Sequence, residues 1–235
     1  MARRSSINDK FLNLKRRMRK ILRRRDAPSI LLHDYLHLYT LASGMRRFLA
    51  GRDGRVLDLG CGDSPYRSFV SENSTYIRLD MMADCAPDII ADAVKLPFRA
   101  ESFDLIISSQ VGEFVPNPDI LVAECHRVLK PGGTIVFSVP FFWQNQPFEA
   151  DNYRFTISSM HRLFSAFTDV EIRPNGNKWQ TLLQTAMSCV STSAGIVGMP
   201  IFLVGNAFGR LLGALPPDSI FTTGYTVCAV KSIHG

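Results

Sequence analysis

Several features this chain does not have narrow it first. Its five cysteines, Cys61, Cys85, Cys125, Cys189 and Cys228, are odd in number and scattered, with no C-x-x-C pair. That argues against a zinc knuckle or a disulfide framework and favours a reducing compartment. The histidines His33, His37, His126, His161 and His234 do not cluster as metal ligands. His33 and His37 stand four apart, which reads as one helix face, and no metal site is expected. No apolar run reaches the ~18–20 residues of a membrane-spanning helix. The nearest stretch, Ala194 to Gly205, is shorter and holds Pro200 in its middle. No apolar core with a small-residue cleavage site follows the N-terminal arginines, which excludes a secretory signal and leaves an organelle transit peptide open.

A strong excess of either charge is also missing from most of the chain. The net charge is +6 over 235 residues. Residues 1 to 25 hold eleven basic groups and one acid, for +10, and the other 210 residues hold 16 basic and 20 acidic groups, for −4. The basic character is therefore an arm on a mildly acidic body. Within residues 7 to 25, Ile7, Phe11, Leu14, Met18 and Ile21 recur at helical spacing, and Lys and Arg fill the other faces. This predicts a basic amphipathic helix. Three uses fit it: docking on the body by its apolar stripe, contact with an anionic membrane surface, or contact with nucleic acid.

With 46% hydrophobic and 20% charged residues, the rest is long enough for one α/β domain, residues 28–235, behind an arm of residues 1–27. Its centre is Arg55-Val56-Leu57-Asp58-Leu59-Gly60-Cys61-Gly62-Asp63. This reads as a buried strand running into a glycine turn, where Gly60 and Gly62 permit a sharp bend and close approach of a ligand. A helix after the turn would point its free N–H groups at the same place. A dinucleotide fingerprint needs a third glycine at position 65, which is Pro65.

Around that turn, strands and helices alternate. Ser29 to Ala50 reads as a helix, Tyr66 to Ser71 as a short one, and Thr75 to Asp80 as a second strand ending in an acid. Pro87 to Ala91 and Phe103 to Ser108 read as the third and fourth strands. Asn117-Pro118-Asp119 opens a helix to Leu129, and Thr134 to Val139 is the fifth strand. A helix over Thr156 to Phe167, a sixth strand over Asp169 to Arg173 and a last strand over Thr222 to Val230 complete the pattern. The alternation predicts a doubly wound, mostly parallel sheet of seven strands.

The motifs in order, Asp58 to Gly62, Asp80, Ala91-Asp92-Ala93 with Leu96-Pro97-Phe98, Phe103 to Ile106, and Leu129 to Gly133, resemble those of small class I S-adenosylmethionine (SAM)-dependent methyltransferases. The resemblance covers about residues 50 to 175 and implies a Rossmann-like sheet, with a seventh strand running against its neighbours. It implies that Asp58, Gly60, Cys61, Gly62 and Asp63 wrap SAM, that Asp80 holds the ribose with Met81 beside the adenine, and that Asp92 with Ala93 meets the adenine amino group. Ser109 and Gln110 would line the methyl-transfer side. Ser64 stands at the motif's last glycine, and Glu113-Phe114-Val115 stands where many relatives have Glu-His-Val. Asp151, Tyr153, Arg154 and Thr156 resemble a D-x-Y-R-x-T segment of some bacterial members linked to glycan or lipid modification. This aromatic, amide-rich loop, Phe141 to Thr156, leaves the carboxyl edge of the sheet and would roof the acceptor site. Its carboxylates Glu149 and Asp151 are the candidate general bases, and an Asp151–Arg154 pair holding the loop is the alternative.

The insert over residues 179–215 includes 31 uncharged residues, Trp179 to Gly209. A spanning helix, an interfacial or re-entrant hairpin, and a self-packed or dimer-forming helical pair all remain open for it. The expected function is methyl transfer from SAM to a small-molecule, lipid or glycan acceptor, in the cytoplasm and peripheral to the inner face of a membrane. Homo-oligomerisation through the insert is open. An RNA methyltransferase using the basic arm is disfavoured because no N/D-P-P-Y/F motif follows the fourth strand. A non-catalytic SAM-binding scaffold is the other alternative.

Overall fold

The computed structural model describes residues 28–146, 150–194 and 198–233. The expected basic helix of residues 7 to 25 and the candidate base Glu149 lie outside the described residues. The seven strands are β1 (Arg55–Leu59), β2 (Thr75–Asp80), β3 (Ile89–Ile90), β4 (Phe103–Ser109), β5 (Leu129–Pro140), β6 (Thr168–Pro174) and β7 (Gly224–Val230). They form one sheet in the order β3-β2-β1-β4-β5-β7-β6. β1 to β5 are parallel, and β7 runs antiparallel between β5 and β6. The expected seven-stranded, mostly parallel architecture with a reversed last strand is what the chain adopts.

Period-two alternation sends successive side chains to opposite faces of the central strands. Val56, Leu105, Ile107 and Val136 meet Leu41, Met45, Phe48 and Leu49 of helix α1 (Tyr35–Leu49) on one face. Leu57, Ile106, Ile135 and Phe137 meet α2 (Pro118–Val128) and α3 (Ile157–Leu163) on the other. α2 begins where the Asn117 side chain accepts from the N–H groups of Asp119 and Ile120, with Pro118 following the cap. Thr156 and Ser159 close a reciprocal capping box at the start of α3.

Four expected elements are shorter than their sequences suggest: the helix expected from Ser29 begins only at Tyr35, and that expected over Thr156 to Phe167 ends at Leu163. The third strand keeps only Ile89–Ile90, because Pro87 has no N–H to donate. The helix expected over Tyr66 to Ser71 is a single 3₁₀ turn, Arg67–Phe69. Ser64 takes the left-handed conformation, φ +50°, that a glycine would have supplied there. Val70 then returns to an extended conformation, and the Arg67 guanidinium ties off Ser71 O and Glu72 O. Among the described residues, no long helix therefore aims its N-terminus at the glycine turn.

The uncharged insert is a helical pair, α4 (Lys178–Ala194) and α5 (Met199–Leu212), packed on α1. Its inner face is amide and glycine. Gln184 Oε1 accepts from His37 N–H at 3.0 Å, and Gln184 Nε2 donates to His33 O at 2.7 Å. Asn206 Nδ2 donates to Ile30 O and Leu32 O, both at 2.7 Å. A Cβ at Gly209 would stand 2.4 Å from Leu36 Cδ1, so α5 comes this close to α1 only with glycine there. Among the described residues no helix is long and apolar enough to cross a membrane.

Candidate active site

The carboxyl ends of β1, β2 and β4 meet at one edge, and the glycine turn lies across it. Gly60 and Cys61 both donate their N–H groups to Leu79 O, at 2.8 and 3.0 Å, which pins the turn to the end of β2. Gly60 has φ +68°, and a Cβ there would lie 2.3 Å from Val111 Cγ2. Gly62 also has positive φ, +49°, but a Cβ there would meet only open space. Its N–H donates to Asp80 Oδ2 at 3.0 Å, while Asp80 Oδ1 accepts from Met82 N–H at 2.9 Å. The turn thus presents bare backbone and an aspartate to an open groove, which suits a ligand carrying a ribose.

The other predicted cofactor residues differ in exposure. Asp58 is buried at the end of β1, and its carboxylate accepts from Tyr76 OH at 2.8 Å. Burial pushes the Asp58 carboxyl up to about 6 despite that bond, and pushes the neighbouring Cys61 thiol up to about 12. Asp63 and Met81 are exposed at the rim. Asp92 is exposed and caps its own turn, accepting from Val94 N–H at 3.0 Å, with Ala93 between. Ala91 N–H donates to Asp80 O, so Asp92 lies on the same edge as the ribose acid.

Residues 57–137 match a family described as a methyltransferase domain. Over that stretch the chain resembles the class I SAM-dependent methyltransferases. Among curated relatives, the malonyl-[acyl-carrier protein] O-methyltransferase of Enterobacter lignolyticus is 24% identical over 177 residues, covering 70% of this chain and 64% of that one. The ubiquinone biosynthesis O-methyltransferase of Pseudomonas syringae pv. tomato is 29% identical over 123 residues, covering 46% and 52%. The chain therefore spans between half and two thirds of the length of these relatives. The solved phosphoethanolamine N-methyltransferase 2 of Haemonchus contortus with SAM aligns at a TM-score of 0.55 and 16% identity, over 83% of this chain and 52% of that one, a likeness of fold.

Arg78 braces the glycine turn, a role sequence reading missed. Its guanidinium donates to Ser64 Oγ, Gly62 O, Cys85 O and Ala86 O, at 2.8 to 3.1 Å, so one side chain joins the glycine turn to the β2–β3 loop. The Ser64 hydroxyl, absent in the glycine version of the motif, supplies one of those acceptors.

A cavity of about 220 Å³ opens beside the turn, lined by Asp34, His37, Gln110, Glu113, Trp143 and Arg154 among others. The segment Gln110 to Phe114 connects the two places: Val111 abuts Gly60, while Gln110, Glu113 and Phe114 line the cavity. Of the expected pair Ser109 and Gln110, only Gln110 lines it. Ser109 is the preceding strand residue and points into the sheet, where its hydroxyl lies 2.9 Å from Ser138 Oγ and 3.2 Å from Tyr66 OH.

Trp143, Gln146, Asp151 and Arg154 of the loop after β5 line the cavity, but Asp151 is not placed as a base. Its carboxylate receives both Arg154 terminal nitrogens and the Gln146 N–H. The Arg154 hydrogen bonds hold its carboxyl below the usual range, which makes it a poor proton acceptor. Tyr153 OH donates to Pro116 O at 2.8 Å, and Thr156 caps α3. The whole D-x-Y-R-x-T segment is therefore a clasp. The groups able to take a proton come from elsewhere. His37, on α1, stacks on Trp143 at 4.0 Å between ring centroids, and Glu113 is buried after β4. The i, i+4 pair His33 and His37, with Asp34 between them, was the only sequence trace of this wall.

Proposed function

We propose that this chain transfers the methyl group of SAM to a small hydroxyl-bearing acceptor held in the cavity between α1 and the loop after β5. The observation that carries the reading is the shared segment Gln110–Phe114, which has the SAM turn on one side and the cavity on the other. Gly60, Gly62, Asp80 and Asp92 would hold SAM, which supplies an electrophilic methyl group when bound. Gln110 and Glu113 orient the acceptor, and the clasped roof excludes water. Such alignment contributes ~7–11 kcal/mol without any covalent step. His37, backed by Trp143 and held through its backbone by Gln184, takes the acceptor proton, and Glu113 stands beside it.

The lining also selects among acceptors. It carries the carboxylates Asp34, Glu113 and Asp151 against one guanidinium, Arg154, which is already paired with Asp151. That field repels phosphate and supports a neutral lipid, glycan or phenolic hydroxyl over RNA. Calorimetry of the full chain with SAM and with NAD tests the cofactor assignment, and binding of NAD alone overturns it. Labelled-methyl transfer from SAM to phenolic, glycan and neutral-lipid hydroxyl acceptors and to RNA tests the rest. Label in RNA alone overturns the acceptor class. SAM binding without label in any acceptor favours a scaffold.

A further inference from the structure

The glycine turn and the β2–β3 loop bring together three side chains that methyl transfer does not employ as a set. Cys61 Sγ, a carboxylate oxygen of Asp80 and Cys85 Sγ all lie within 4.8 Å of one another. They come from three places: the turn, the tip of β2, and the 3₁₀ turn Ala83–Cys85. Zinc bonds of ~2.3 Å to sulfur and ~2.0–2.2 Å to oxygen in a tetrahedron put donors roughly 3.3–3.8 Å apart, so a modest contraction suffices. The loop permits it: Cys85 is partly exposed and Ala86, the next residue, already has φ +47°. Two thiols and a carboxylate are the donor set of a borderline-to-soft cation, and calcium and magnesium prefer all-oxygen sites. Arg78, which bonds the backbone of both loops, supplies the charge that balances two thiolates and a carboxylate around a divalent ion.

We propose that Cys61, Asp80 and Cys85 bind a thiophilic divalent cation of the zinc class, and that this ion and SAM exclude each other. Binding releases the two thiol protons to solvent, leaves the fourth position to water and changes no oxidation state. The exclusion half rests on the SAM reading, because Asp80 cannot serve ribose and metal at once. The ion would thus be an inhibitor of the transferase, read out at its cofactor turn.

The probe is Co²⁺ added to full-length protein stripped with a chelator and kept reduced with a phosphine. A thiolate-to-cobalt charge-transfer band is expected at one equivalent, displaced by Zn²⁺. It should be lost or weakened at least tenfold in Cys85→Ser and in Cys61→Ser, and kept in Cys189→Ser. Should Cys61→Ser fail to fold, Cys85→Ser decides alone. No band in the wild type, or an unchanged band in Cys85→Ser, overturns the site. Saturating SAM is expected to suppress the band, and a band indifferent to bound SAM overturns the exclusion. Calorimetry with SAM in chelator is the separate arm. Cys85→Ser should bind SAM like the wild type, and failure of both to bind it overturns the cofactor reading while leaving the cobalt result to stand.

Discussion

At the scale of single residues, the site holds groups whose roles separate by what touches them. Asp80 reaches backbone N–H groups on two loops and would exchange them for ribose hydroxyls. Asp80→Ala should weaken SAM by ~1.5–3 kcal/mol, the range of hydrogen bonds to charged groups, read by calorimetry. Asp58 works against stability. Its carboxyl titrates at about 6 in the fold against 3.8 when unburied, so above pH 6 folding carries the cost of a buried charge. As pH falls from 6 to 4, the folded chain takes up a proton before the unfolded one and that cost fades. The difference amounts to about 3 kcal/mol. Asp58→Asn should therefore raise urea stability at pH 7 by up to that amount, and the gain over wild type should shrink toward pH 4. An equal gain at both pH values would show that ionisation is not its source. His37→Asn should lower turnover by ~10²–10⁴ with SAM affinity kept, the signature of lost proton transfer. Loss of SAM affinity instead would place His37 in the fold.

At the scale of elements, two loops and a helical pair depend on single polar side chains. Arg78 joins the glycine turn to the β2–β3 loop. Arg78→Met should leave four acceptors without their donor and weaken SAM binding through a loosened turn. If affinity is unchanged, the turn is set by Leu79 O and the glycines alone. For the helical pair, Asn206→Leu removes the donors to Ile30 O and Leu32 O deep in the interface. Ile30 O then loses its donor, at a cost of ~1–3 kcal/mol, while Leu32 O keeps the Tyr35 N–H at 3.3 Å. At ~2–4 °C per kcal/mol for a domain of this size, calorimetric melting should fall by several degrees.

At the scale of the molecule, the helical pair turns an unusual surface outward. Ile201, Val204, Phe208 and Leu211 recur at steps of three, four and three along α5 and are exposed, Val204 by 71% and Leu211 by 73%. Trp179 and Leu182 of α4 are exposed as well. An apolar stripe of this kind marks a surface that meets something other than water. We propose that it enters the interface of an anionic bilayer together with the basic arm, each basic residue near the leaflet contributing roughly 1 kcal/mol. Two such weak anchors hold where one binds reversibly. Co-sedimentation with vesicles should rise with anionic lipid and drop both in a form lacking residues 1 to 25 and in Val204→Asp. If the full chain ignores vesicles but retains RNA at the same salt, the arm is a nucleic-acid grip. Self-association abolished by Val204→Asp would instead make the stripe a contact between copies.

The succession of strands and helices along the chain and the glycine turn were determined by sequence alone, because both rest on local rules. Apolar periodicity separates strand from helix. Gly60 and Gly62 mark a backbone that only residues without Cβ adopt freely, and Asp80 and Asp92 sit at strand ends counted from that turn. The reach of Arg78, the clasp of Asp151 by Arg154 and the wall formed by Asp34, His37 and Glu113 were decided by tertiary structure. Each joins segments whose spacing in the chain carries no period. The same holds for Cys61, Asp80 and Cys85, which look scattered along the chain and meet only because β2 carries its tip beneath the glycine turn. The insert makes the point at its largest. Thirty-one uncharged residues specify burial somewhere, but the amides and glycines that choose α1 as the partner act only once the sheet has placed α1 beside them.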